Sequence, residues 1–290
     1  MNYRDWQFLL VIAEVKNMTA AASKLYITQP ALTYRLKNIE KELSATLFIR
    51  TPKGLLLTPE GESAVHYAKI VLKEFDVIKT KISNMSGSVQ GTLRLGLSLN
   101  FARRKLAGIL STFCKLYPDV ELSIKTELSS QTKMDLDNDD IAVAIVRGEH
   151  VWSEFKHLIA VEPIYLVSNY ELPLKSLPKI PYIMYDADSS LNMIVANWWS
   201  EIYSSPPTVT MQINDADTCL HLASLGLGYT IIPSMNVQDI DTSQLKILPL
   251  FLKNKEPLER KTYIMCRNSS MQLPAVSKFI EHVVNLKDKI

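Results

Sequence analysis

Gln29, Thr33, Tyr34 and Lys37 lie close together in this chain, and Arg50 and Lys53 follow shortly after. An amide, a hydroxyl and a phenol can hydrogen-bond the edges of nucleic-acid bases, and the cations can neutralise phosphates. The segment Thr28-Gln29-Pro30-Ala31-Leu32-Thr33-Tyr34-Arg35-Leu36-Lys37-Asn38-Ile39-Glu40 predicts the helix that presents the first four. At about 100° per residue, Leu32, Leu36, Ile39 and Leu43 form one apolar stripe. Pro30, Tyr34, Lys37, Asn38 and Lys41 project from the other side. Thr28 suits the N-cap, and Pro30 is tolerated in a first turn whose N–H groups have no helical partner anyway. Such a helix packs one face on a small core and offers the other, nearly free of acids, to a DNA major groove.

Other elements must hold that helix in place. Trp6, Leu9, Leu10 and Ala13 repeat at helical spacing and predict a first helix from about Tyr3 to Val15. Thr19 is expected to cap a short second helix, Ala20 to Leu25, and Tyr26-Ile27-Thr28 forms the turn. Short helix, tight turn and second helix make a helix-turn-helix, a geometry that also serves proteins binding no DNA. After Leu43, two short apolar runs flank Pro52-Lys53-Gly54, which predicts a hairpin wing with Arg50 and Lys53 near its tip. Both cations then reach phosphates or a minor groove, unless the hairpin is merely a solvated one.

Charge agrees with this placement. Residues 1–58 carry eight Lys/Arg against four acids, so they hold +4 of a chain whose net charge is +2. The remaining 232 residues sum to −2. Positive charge at one end is what a phosphate partner requires, although a merely basic small domain would show it too. At 290 residues the chain has room for two or three domains, and its 21% charged and 47% hydrophobic residues are ordinary for a globular protein. No apolar run is long enough for a membrane span, and the N-terminus enters an amphipathic pattern rather than a signal peptide. Cys114, Cys219 and Cys266 have neither metal-ligand nor disulfide-framework spacing, so a reducing cytoplasm is expected.

From Pro59 to about Met85 the sequence reads as one helix. Ala64, Ala68, Val71, Phe75, Ile78, Ile82 and Met85 alternate four and three apart, an unbroken heptad stripe. A lone buried helix drifts from a strict 3.5-residue period, so a partner helix is implied, and a second copy of the chain is its simplest source. Packing on the chain's own C-terminal domain is the alternative. A small polar hinge, 87–90, separates this linker helix (59–86) from the domain beginning near Gly91.

Beyond it, strands and helices alternate. Strands are predicted at Leu93–Leu97, Val120–Lys125, Ile141–Val146, Tyr182–Tyr185, Val209–Ile213, Tyr229–Ile232 and Thr262–Cys266, with helices between them and at Ala275–Leu286. This rhythm predicts an α/β fold of two subdomains, about 91–162 with 267–290 and about 163–266, crossing near Val161–Asn169 and Arg260–Arg267. Ligands in such folds sit at the C-terminal ends of strands and at helix starts. The candidates there are Ser98, Leu99, Asn100, Ser129, Ser130, Arg147, Ser189, Ser190 and Tyr229. The serines equally suit helix caps, and Gly226 and Gly228 are too sparse for a nucleotide fingerprint. Arg147, Arg103 and Arg104 could bind a carboxylate, which points to a small anionic ligand, or could form surface ion pairs.

Residues 17–61 resemble the DNA-binding domain of LysR-type transcriptional regulators. The matching residues include Ala21-Ala22, Leu25, Gln29-Pro30-Ala31-Leu32, Ile39-Glu40, Leu43, Leu47-Phe48, Arg50, Leu57-Thr58-Pro59 and Gly61. With the linker and the α/β pattern, the resemblance covers essentially the whole chain. It implies a winged helix-turn-helix (1–58), a dimerising linker helix and a C-terminal effector domain similar in fold to type 2 periplasmic binding proteins. Thr28, Gln29, Pro30, Thr33 and Tyr34 would then lie at the groove. It further implies a bacterial, cytoplasmic regulator that is a homodimer or homotetramer, with promoter DNA, a small effector and RNA polymerase as partners and no membrane. Thr28 and Thr33 stand where the family usually has serine, Tyr34 where it often has arginine, and Ser44 where glycine is common.

No catalytic set accompanies these features. The chain has no Walker A loop, no His-Glu-x-x-His and no Gly-x-Ser-x-Gly elbow, and its five histidines are scattered, so no enzyme, cofactor or metal is expected. The acidic run Asp135, Asp137, Asp139, Asp140 lacks an EF-hand's spacing and reads as a solvated helix end. Two rival functions are a metabolite-binding protein whose N-terminal helices contact proteins, and a thiol redox sensor. Against the latter stand the 47 positions from Cys219 to Cys266 and the apolar sequence around Cys114.

Overall fold

The computed structural model describes the chain except Lys53, 85–88, Ala187, 239–242 and 287–290. The expected roles of Lys53, of Met85 and of hinge positions 87–88 thus lie outside the described residues. Two compact units are present, Met1–Ser88 and Val89–Ile290.

In the first unit, α1 (Tyr3–Val15), α2 (Met18–Lys24) and α3 (Gln29–Leu43) precede a hairpin of β1 (Phe48–Thr51) and β2 (Gly54–Leu57) and the long α4 (Pro59–Asn84). Each start has a local cause. Asn2 and Asp5 form a reciprocal capping box on α1, Asp5 N donating to Asn2 Oδ1 at 3.1 Å and Asn2 N to Asp5 Oδ2 at 2.7 Å. Asn17, not Thr19, caps α2: its extended backbone lets Oδ1 accept from Ala20 N at 3.1 Å, which leaves Thr19 inside the helix. Thr28 caps α3 as expected, accepting from Ala31 N at 3.4 Å. Ser44 closes α3 in the left-handed region at φ 50°, the conformation for which glycine is favoured. Leu9, Ile12, Ala21, Leu32, Ile39 and Leu47 fill the core between the helices and the hairpin. Gly61 has a steric reason: a Cβ there would stand 2.0 Å from the Leu47 carbonyl oxygen, so α4 approaches the wing this closely only without a side chain.

The second unit begins with β3 (Gly91–Ser98), which runs into α5 (Leu99–Phe101), a π-helical turn (Ala102–Leu106) and α6 (Ala107–Leu116). Then come β4 (Val120–Glu127), α7 (Ser129–Asp137), β5 (Val143–Arg147) and the 14-residue β6 (Phe155–Ser168). They are followed by β7 (Pro181–Tyr185), α8 (Ser189–Ile202), β8 (Thr208–Ile213), α9 (Ala216–Ser224) and β9 (Thr230–Pro233). β10 (Lys246–Pro249), β11 (Glu259–Cys266) and α10 (Pro274–Asn285) complete it. The strands β10-β6-β11-β5-β3-β4 form one sheet in that order; β9 also pairs with β6, and β7 and β8 form a separate parallel pair. β3 is parallel to β4 and β5, whereas β11 is antiparallel to β5 and β6.

Two cores divide this unit into lobes. Leu93, Leu95, Phe101, Phe113, Ile159, Ile264 and Phe279 pack in the first, and Ile164, Leu166, Ile183, Trp199, Leu220 and Ile231 in the second. β6 and β11 run between them. β6 pairs with β11 over Phe155–Pro163 and with β9 and β10 over Ile164–Ser168. The first crossover therefore falls between Pro163 and Ile164. The second lies earlier than the boundary at 266/267, because Ile264 and Cys266 already belong to the first core and Thr262–Cys266 pair with β5.

Candidate DNA-contacting surface and ligand cleft

The outer face of α3 gathers the expected polar groups. Tyr34 is 69% exposed, and Lys37 and Arg50 are exposed with no carboxylate partner among the described residues. Gln29 Nε2 donates to Thr33 Oγ1 at 3.1 Å, so these side chains hold each other on one helical face. Thr28 spends its oxygen as acceptor on the cap and keeps its O–H to donate. Arg50 lies on β1, opposite Leu55 of the wing. Tyr26 sits in the helix-turn-helix turn at φ 56° and is almost wholly exposed.

Arg35, on the same helix, has a different job. Its Nη2 donates to the buried Asp5 carboxylate at 2.7 Å and its Nε pairs with the other oxygen, tying α3 to the start of α1. The hydrogen bond to Asp5 raises the Arg35 pKa above its usual value. Asp5→Ala removes this tie and half of the capping box together. Chemical denaturation is expected to show about 1–2 kcal/mol less stability for this unit with an unchanged urea slope.

On α4, Ala68 is buried and Ala64 half-buried against this unit's own core, and Tyr3 packs on Phe75 at 4.7 Å between ring centroids. Further along, the stripe opens to solvent: Val71, Phe75, Ile78 and Ile82 are 39%, 48%, 54% and 64% exposed. A concavity of about 620 Å3 in this unit is lined by apolar residues such as Trp6, Leu43, Leu47 and Tyr67 and offers few convergent polar groups.

In the second unit, a cleft of about 50 Å3 lies between the lobes. The C-terminal ends of three adjacent parallel strands supply Arg147 from β5, Ser98 from β3 and Glu127 from β4. Leu99, Asn100 and Ser129 complete the first lobe's wall, and Tyr185, Asp188, Asn214, Asp215 and Arg260 line the rest. Buried ion pairs frame it. Arg147 pairs with Glu162, Nε donating to Oε1 at 3.1 Å, and Glu162 Oε2 also accepts from Met235 N at 3.0 Å. Arg260 pairs with Asp188, the N-cap of α8. Burial and the neighbouring Arg147 charge pull the Arg260 pKa below its usual range. Ser98 Oγ, Arg147 Nη1 and Arg260 Nε are buried without a hydrogen-bond partner. Ties across the mouth hold the lobes together: Arg103 to Asp217 at 2.9 Å, Arg104 to Asp217 at 2.5 Å, and Asn100 to Tyr185 Oη.

Of the residues expected at a ligand, Ser98, Leu99, Asn100, Ser129 and Arg147 line this cleft. Ser129 accepts from Arg147 N at 3.1 Å, so it also orients the arginine. Ser130 and Ser189 are exposed away from the lining, and Ser190 rests against Gly148. Tyr229 is not a cleft residue: it is enclosed in the second core, stacked on Tyr182 at 5.0 Å between centroids, with Oη donating to the Leu177 carbonyl at 3.5 Å. Arg260, Asp188 and Tyr185 were missed. A charge at an inward position of the alternating strand β11 was the available signal for Arg260.

The acidic run binds the chain's own cations: Asp135 pairs with Lys125, Asp137 with Lys133 and Asp139 with Arg267. Among the described residues no cluster of His, Cys, Asp or Glu is placed to hold a metal, and no helix is long and apolar enough to cross a membrane. Cys219 and Cys266 sit in different cores, where burial raises their pKa to about 11 and about 12, so both stay protonated and are poor nucleophiles. Cys114 is exposed on α6, contrary to the apolar setting its sequence suggested, because it lies off the stripe that buries Ile109 and Phe113.

A family model described as "Bacterial regulatory helix-turn-helix protein, lysR family" matches residues 3–62, and one described as "LysR substrate binding domain" matches residues 86–287. An uncharacterized HTH-type transcriptional regulator of Bacillus subtilis, YraN, is 35% identical over 281 residues, spanning 97% of this chain and 96% of the relative. YkuM of the same organism is 29% identical over 291 residues, 100% and 99% of the two chains. Among solved structures, full-length CbnR complexed with its target DNA aligns with a TM-score of 0.67 at 20% identity, over 98% of this chain and 99% of that one. A full-length OxyR variant from Pseudomonas aeruginosa aligns at 0.68 with 17% identity, over 98% of each. At these identities the two structures speak for the fold.

Proposed function

Because the chain belongs to the LysR family of bacterial helix-turn-helix regulators, we propose that α3 and the wing read one promoter half-site each in a homodimer, under control of a small effector that presents an anionic group to the lobe cleft. The chain is a DNA-binding transcriptional regulator whose second unit is the family's substrate-binding domain. The observation that carries the residue-level reading is the outer face of α3, where Gln29 and Thr33 are mutually oriented beside exposed Tyr34 and Lys37, which has no carboxylate partner among the described residues. Gln29, Thr33 and Tyr34 meet base edges, Thr28 and Pro30 fit the chain to the groove, and Lys37, Arg50 and Lys53 meet phosphates. Tyr34 gives this regulator a neutral reader where related chains often carry a cation.

The exposed stripe Val71, Phe75, Ile78 and Ile82 supports the dimer, and two dimers make the tetramer. The regulator acts in the cytoplasm, touches RNA polymerase at the promoter and catalyses no reaction. Buried Arg147 Nη1 and Ser98 Oγ, which lack partners, support an effector carrying a carboxylate or similar anion. Such an effector acts only by binding one lobe arrangement better than another. The mouth ties Arg103–Asp217 and Asn100–Tyr185 are the contacts that change with it.

A gel shift with the DNA upstream of its own gene tests the reading. Binding is expected to weaken steeply with salt. Lys37→Ala and Arg50→Ala are each expected to weaken it about tenfold and to reduce the salt slope by about one. Salt-independent binding that neither variant alters would overturn the assignment of these residues.

A further inference from the structure

We propose that the effector is a zwitterion, an α-amino acid, rather than a simple carboxylate; the inference rests on the lobe cleft being the effector site. Charge balance is the first reason. Arg147 and Arg260 line the cleft against Glu127, Asp188 and Asp215. Adding Glu162, which pairs with Arg147, and Arg103 and Arg104 with their partner Asp217 makes four cations against five acids among these residues. A bare anion would bring a further negative charge into a partly dehydrated space that is already net negative, whereas a zwitterion brings none.

The second reason is which groups remain unpaired. Asp188, Asp215, Asp217 and Glu162 each have an arginine partner. The Glu127 carboxylate has no hydrogen bond or ion pair among the described residues, and Arg147 Nη1 and Ser98 Oγ are buried donors without acceptors. Their order is set by the sheet. Ser98 and Glu127 are register partners at the ends of β3 and β4, and β5 brings Arg147 to the other side of β3. Neighbouring strands lie about 4.8 Å apart, and all three residues line the same cleft, so a cation with a free donor, a hydroxyl and an unpaired anion face a space that a single amino acid can bridge. Its carboxylate is held by Arg147 Nη1 and Ser98 Oγ, and its ammonium by the Glu127 carboxylate.

Calorimetry on the full-length protein with the proteinogenic L-amino acids, the matching 2-hydroxy acids and the matching decarboxylated amines separates the possibilities. At least one amino acid is expected to bind at least about tenfold tighter than its hydroxy acid and its amine, the loss of one charge-assisted contact. Glu127→Gln, at an exposed position, is expected to erase the preference over the hydroxy acid. Ser98→Ala is expected to weaken both acids alike. If carboxylates lacking the amine bind as tightly or tighter, and Ser98→Ala still weakens them, the zwitterion is overturned while the cleft stands. If no compound binds, or binding ignores both substitutions, the cleft assignment falls with it.

Discussion

Ile78→Asp is expected to turn the protein into a monomer in sedimentation and to weaken its binding to a two-half-site operator on the order of a hundredfold or more. Ile78 lies on α4 where the apolar stripe has left its own domain, and it is 54% exposed there. Burying an isoleucine is worth about 1.5–3 kcal/mol, and a two-fold interface counts each position twice. An aspartate at the seam reverses that gain and adds like charges facing each other. With the dimer lost, the second half-site contact is no longer intramolecular, so affinity falls far more than the contacts of one recognition helix would explain. Ile78 is a better probe than Phe75, whose ring also packs on Tyr3 of α1. The exposed neighbour Lys79→Ala is expected to leave sedimentation unchanged. A dimeric Ile78→Asp protein with wild-type operator affinity would place the interface elsewhere.

The N-terminal unit was legible because its signals are local. Period-3.6 stripes place the three helices, and Thr28 and Pro30 mark the start of α3 within a residue. Thr19 misled because Asn17, two positions earlier, is an equally good cap with the extended backbone already in place. In the second unit, local reading found most strands but neither β6 nor β10, and the four residues of β10 gain their place by pairing with β6. β6 was hidden because Glu162 and Pro163 interrupt its apolar run. Site residues divide in the same way. Ser98, Asn100 and Arg147 end strands or start helices, where sequence points directly. Tyr229 follows a glycine turn and looked similar, yet an aromatic ring stacked on Tyr182 inside the second lobe's apolar core is more stably buried than wet. Arg260 and Asp188 meet across 72 positions, and no local pattern announces that pair.

Glu162→Ala is expected to destabilise the second unit by about 3–5 kcal/mol, a larger loss than that of Asp5→Ala in the first. The carboxylate lies on β6 directly opposite Arg260 in the register with β11, at the crossover between the lobes. It accepts from Arg147 with one oxygen and from Met235 N with the other. Without it, Arg147 is a buried cation with no counterion, the Met235 N–H loses its acceptor, and the repulsion that already depresses Arg260 is no longer offset. Glu162→Gln keeps a hydrogen-bond acceptor but not the charge, and is expected to lose roughly half as much. Chemical denaturation of the full-length proteins measures both, and the transition of the N-terminal unit should stay in place. Formate is the informative addition: a small carboxylate that fits beside Arg147 is expected to restore part of the stability of Glu162→Ala and to stabilise the wild type far less. A loss within about 0.5 kcal/mol, the range of an ordinary surface change, would mean that Arg147 finds another counterion and that the crossover does not depend on this pair.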